Sequence, residues 1–205
     1  MHSPIFSTLN YILQTVVGLY ILAVLLRLLL QLVRADFYNP ISQFIVKATN
    51  PLLVPLRRVV PSVGGVDTAS LTLAFIIQIL LLYIIAAFDG ISPADLSVFA
   101  VVFTALLCLI AAILKFYFFA LIIIAIASWI APGNYNPAMI ILRQITDPVT
   151  NIVRRVIPPI GGLDLSVMVV ILAIFFIEQG LLVSLASINS EVLSLSIRSV
   201  VMPLR

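Results

Sequence analysis

Four apolar stretches, residues 11–33, 68–88, 96–131 and 165–188, each exceed the about 20 apolar residues that a helix needs to cross a bilayer. Water is not the solvent of such a chain. Of its 205 residues, 63% are hydrophobic and 9% charged, whereas a soluble domain carries about 25% charge. Disorder is excluded by the same balance, because it needs low hydrophobicity and high charge. The first stretch is no cleavable signal: it lacks a basic leader and outruns the about 7–15 residues of a signal core. The third is too long for a simple span and contains Lys115. It is either one tilted helix or two helices broken near Lys115; with no Gly or Pro between 96 and 131, one long helix is expected.

Lys and Arg collect in cytoplasmic loops. Arg34, Lys47, Arg57 and Arg58 follow the first span, and Arg143, Arg154 and Arg155 follow the third. Only Asp89 and Asp95 lie between the second and third. Both long connections therefore read as cytoplasmic, and four spans put both termini outside, although Arg198 and Arg205 pull the other way.

The connections repeat. Tyr38-Asn39-Pro40 returns as Tyr135-Asn136-Pro137, and Thr49-Asn50-Pro51 as Thr146-Asp147-Pro148. Arg57-Arg58, with Pro61 three residues on, returns as Arg154-Arg155 and Pro158. Gly64-Gly65-Val66-Asp67 returns as Gly161-Gly162-Leu163-Asp164. The offset stays at 97, and twelve of the thirty positions from 38 to 67 are identical, so the chain is an internal duplication. Each unit holds an even number of spans, so both insert the same way, as parallel repeats related by a pseudo-two-fold axis along the membrane normal. The expected fold is an all-α integral membrane protein. It is a four-span helical bundle of two tandem parallel repeats, each a helix, an interfacial broken helix and a helix. Their bounds are 1–95 and 96–190, with a short tail at 191–205.

On these residues the chain resembles the YggT family of small bacterial membrane proteins. The carried pattern is Asn-Pro, Thr-x-Pro, Arg-Arg-x-x-Pro and Gly-Gly-x-Asp, at 39–67 and again at 136–164. The resemblance implies a multi-pass protein of the bacterial inner membrane. Its implied roles are membrane-complex assembly, envelope maintenance or osmotic and ion homeostasis.

Read physically, Asn39 and Asn136 cap helices whose first residues are Pro40 and Pro137. The first of these should present Ile41, Phe44, Ile45 and Ala48 on one face, and Pro51 and Pro148 should stop it. The arginine pairs Arg57, Arg58 and Arg154, Arg155 serve either as snorkelling anchors or as a phosphate fork for anionic lipid. Gly64-Gly65 and Gly161-Gly162 lack the Gly-Lys-Ser/Thr of a phosphate loop; they suit a tight turn before a cap by Asp67 or Asp164.

Three charges fall inside spans, where ionisable groups are costly. Arg27 lies about 9 Å from its span's inner end and is expected to snorkel. Glu178 lies about 15 Å deep, with Lys115 at similar depth, so these two are the expected intramembrane pair, either locking the bundle or serving conduction. Offset counterparts of the three are Ile124, Leu81 and Gly18 for Arg27, Glu178 and Lys115, so the duplication diverged there.

Catalysis needs a nucleophile, base or metal in a defined arrangement. Cys108 sits in an apolar run, His2 is terminal, and no catalytic, cofactor-binding or metal-ligating set is indicated. With 11 Lys and Arg and no basic face, direct nucleic-acid binding is not expected. The favoured reading is a non-enzymatic scaffold, assembly or maintenance factor that meets anionic lipid headgroups and other integral membrane proteins, with room for a homo-oligomer. The alternative is a small ion pathway or transporter accessory.

Overall fold

The computed structural model describes residues 4–130, 136–157 and 165–187. These residues form helices α1 (Pro4–Leu32), α2 (Pro40–Arg57), α3 (Thr68–Phe88), α4 (Val98–Ile130), α5 (Pro137–Arg154) and α6 (Leu165–Ser187), with a 3₁₀ turn at Pro93–Asp95. Ser7–Leu32, Thr68–Phe88 and Val98–Ser128 are long and apolar enough to cross a membrane; the apolar part of α6, Leu165–Leu181, is shorter. The stretch around Lys115 is one continuous helix of 33 residues.

Within each half the same three helices pack together. Helix α1 lies on α3 with α2 across their end, and α4 lies on α6 with α5 across theirs. The halves meet where α3 packs on α4, α1 on α4 and α2 on α5. The pseudo-two-fold is incomplete, however: α3 touches α4, but among the described residues α6 does not reach α1. The short connection from Phe88 to Val98 forces the first contact, and no such link acts on the second.

A layer of Leu29, Leu30, Ile45, Ile141 and Ile145 joins α1, α2 and α5 into one core, with Phe116 and Tyr117 of α4 against it. Elsewhere large apolar side chains face outward, Leu19 at 62% and Phe176 at 70% exposure, which suits hydrocarbon rather than water.

Two expectations about α2 and α5 are corrected. Pro51, Pro55 and Pro148 lie inside continuous 18-residue helices and stop neither. A helical proline removes one N–H, leaving the carbonyl four residues back unpaired by the helix. Thr49 and Thr146, two residues before their prolines, donate to Ile45 O (2.8 Å) and Leu142 O (2.9 Å), local side-chain bonds to carbonyls other than those the prolines vacate, Lys47 O and Gln144 O. The buried face of α2 is also rotated from expectation. It consists of Ser42, Ile45, Thr49 and Leu53, while Phe44 points outward at 71% exposure.

Candidate functional site

The polar residues of the repeat gather at the end of the bundle where α2 and α5 lie. Asn39 and Asn136 occupy the N-caps in extended backbone, their side chains accepting from Ile41 N and Ala138 N. The first cap does more. Asn39 is 5% exposed, and its Nδ2 donates to Pro137 O at 2.9 Å, so one repeat's Asn-Pro meets the other's. Beside it, Asp36 N donates to Gln144 Oε1 at 3.1 Å.

Arg27 overturns the snorkelling expectation. It is 8% exposed, and its Nη1 donates to Val46 O (3.2 Å), Thr49 Oγ1 (2.8 Å) and Asn50 Oδ1 (2.8 Å). The guanidinium is held by α2 rather than by headgroups. Helix α2 packs against the C-terminal end of α1 and brings these acceptors to it.

The residues after α2 fold in the same economical way. Gly64 (φ 62°) and Gly65 (φ 83°) form a two-residue turn closed by Val66 N to Val63 O at 3.0 Å. Both central angles are left-handed, which only glycine adopts without strain, and a Cβ at either would meet nothing within 4 Å. The turn delivers Asp67 to the N-cap of α3. There its carboxylate accepts from Ser70 N at 3.3 Å and Ser70 Oγ at 2.6 Å, and pairs with Arg57. Burial pushes the Asp67 carboxyl up, but the bonds from Arg57 and Ser70 outweigh it and hold it below its ordinary value.

Arg58 and Arg155 are exposed, and Arg154 is half-buried, its Nη1 donating to Asn151 Oδ1 at 3.1 Å and lying 3.8 Å from Asp147. Tyr135, Pro158, Gly161, Gly162, Asp164 and the tail at 191–205 lie outside the described residues. Lys115 on α4 and Glu178 on α6 are both half-buried, and each lies within electrostatic reach of the other. Cys108 is 1% exposed inside α4.

Among the described residues, cavities open at this end. One of about 390 Å³ lies among α4, α5 and α6, lined by Arg143, Asp147 and Arg154 with Ser128, Thr146 and Thr150. Another of about 320 Å³ lies between α1 and α2, lined by Arg27, Gln31, Arg34, Ser42 and Arg57. A third of about 380 Å³ adjoins it through Gln31 and Arg57 and reaches Asp67. Gln31 and Ser42 belong to no repeated motif, and Arg34 stands out in the sequence only as a basic residue after the first span. Gln31 and Arg34 carry a spacing signal, since 27, 31 and 34 follow the i, i+4, i+7 rule of one helix face, whereas Ser42 on α2 carries none.

The sequence model of the family described as CCB3/YggT matches residues 6–88 and again residues 95–185. An uncharacterized protein of Pseudomonas aeruginosa is 46% identical over 187 residues, spanning 91% of this chain and 94% of that one. The uncharacterized protein YggT of Escherichia coli K12 is 37% identical over 174 residues, spanning 85% and 89%. No solved structure matches.

Proposed function

The chain belongs to the CCB3/YggT family, and from that premise we propose that it is a non-enzymatic, multi-pass scaffold of the bacterial inner membrane. In this reading α6 is a fourth span: its 23 residues measure about 35 Å, against a hydrocarbon core of about 30 Å. Helices α2 and α5 then lie side by side on the cytoplasmic face, where the positive-inside rule puts their arginines. Their outward residues Arg58 and Arg155 meet anionic headgroups, and the layer offers a docking surface for other membrane proteins.

The observation that carries this reading is the bond from Asn39 Nδ2 to Pro137 O. It ties the corresponding segments of both repeats together at one end, so a single platform extends across both halves. Lys115 and Glu178 act as a pair that joins α4 to α6, both half-buried and each within electrostatic reach of the other. The test is affinity purification of the full chain from native membranes, repeated with Arg58 and Arg155 both changed to Glu. Membrane proteins that co-purify with the wild type and are lost with the double variant support the scaffold; an unchanged set of co-purifying proteins contradicts it.

A further inference from the structure

We infer that the cavity between α1 and α2 is a binding site for a phosphate group, supplied by a lipid headgroup or by free phosphate. Four observations lead there. Three guanidiniums, Arg27, Arg34 and Arg57, line one space of about 320 Å³ with no carboxylate among its walls. Arg57 arrives paired with Asp67, and Arg27 is anchored on α2, so both are fixed in place rather than free to swing. Arg27 and Arg57 are like charges that act on each other, Asp67 offsets part of this from the Arg57 side, and Arg34 adds a further positive charge that an anion in the cavity would meet. Guanidinium forks match phosphate oxygens in pairs.

The second observation is Ser42. It is 3% exposed, lines the cavity, and its Oγ is buried without a hydrogen-bond partner. A buried hydroxyl normally has one. A phosphate oxygen in the cavity supplies it.

The third is Arg34. It ends α1 at φ 51°, and Ala35 N closes the turn onto Leu30 O at 2.9 Å. That position ordinarily takes glycine. The chain keeps a strained arginine where it faces the cavity.

The fourth is the duplication itself. At an offset of 97, Arg27, Gln31, Arg34 and Ser42 correspond to Ile124, Ser128, Ala131 and Met139. Arg57 keeps a counterpart in Arg154, but the other four stand only in the first repeat. General attraction to headgroups calls for basic residues in both halves, not for this one-sided arrangement.

The inference rests on the membrane reading above but not on the scaffold. Its test uses the full chain in non-ionic detergent, with thermal unfolding as readout. One arm adds inorganic phosphate against chloride at constant ionic strength; the other adds phosphatidylglycerol against phosphatidylcholine to the micelles. The wild type should gain several degrees in one arm, and the arm that responds names the source. Arg34→Gln, at an exposed side chain, should lose the gain, as should Ser42→Met, which fills the cavity with the second repeat's residue. Arg155→Gln, outside the cavity, should keep it. No gain in either arm, or an equal gain in Arg34→Gln and Ser42→Met, overturns the site. Equal loss in Arg155→Gln also overturns it, in favour of diffuse headgroup attraction, and leaves the scaffold's co-purification result standing by itself.

Discussion

Arg27 of α1 and Thr49 of α2 are hydrogen-bonded at 2.8 Å, and neither is more than 8% exposed. Thr49 passes the connection on to Ile45 O at 2.8 Å, just ahead of Pro51. The second repeat keeps the threonine, as Thr146 donating to Leu142 O, but has Ile124 where Arg27 stands. The same threonine thus makes a local bond to its helix in both halves and receives a buried cation in the first.

That difference predicts unequal costs for the same substitution. Thr49→Val removes a hydrogen bond to a buried charge and should cost about 2 kcal/mol, whereas Thr146→Val removes a neutral local bond and should cost about 1 kcal/mol or less. Thermal unfolding of both variants in the same detergent checks it. Equal losses mean that Arg27 is not held through Thr49.

Asp67 sets an acid limit. Its carboxyl is depressed below its ordinary value of 3.8, so the unfolded chain binds a proton more readily than the folded one. The stability it contributes is fully present above that ordinary value and drains away as pH falls below it. Asp67→Asn should lose about 2 kcal/mol at neutral pH, from the cap and the Arg57 pair together, and should flatten the acid limb of the profile. Unfolding temperature followed from pH 6 to about 3 for both proteins reads this directly.

Arg34→Gly should raise stability by about 1 kcal/mol, because glycine adopts the left-handed angle of 51° without the Cβ clash. The gain appears as a higher unfolding temperature in the absence of added anion. A fall instead means that the Arg34 side chain contributes more to the fold than its backbone costs.

The proposed Lys115–Glu178 pair predicts non-additivity. Glu178→Leu alone should cost about 2 kcal/mol by stranding Lys115, and adding Lys115→Met should restore most of it. Additive losses indicate that the two charges act separately.

Much of this architecture was legible in advance because its causes are local. The Asn-Pro caps, the Gly-Gly turn and the Asp67 cap each need only a few neighbouring residues, and the apolar stretches outlined the long helices. What the sequence does not show by itself depends on the chain folding back. Arg27 finds its acceptors 19 to 23 residues later, only once α2 lies beneath α1. Pro51 reads as a stop until the packing of Ile45, Thr49 and Leu53 holds the helix through it. Ser42 reads as an unremarkable helix residue, and its significance lies in what surrounds it.

The central claim is that α2 and α5 form one platform on one side of the membrane. Single cysteines replacing Arg58, Arg155 or Asp95, all exposed, in a chain carrying Cys108→Ala, can be probed with a membrane-impermeant maleimide in right-side-out and inside-out vesicles. The account predicts that the cysteines at 58 and 155 label only from the cytoplasmic face and the cysteine at 95 only from the other. Labelling of 58 and 155 from opposite faces contradicts it.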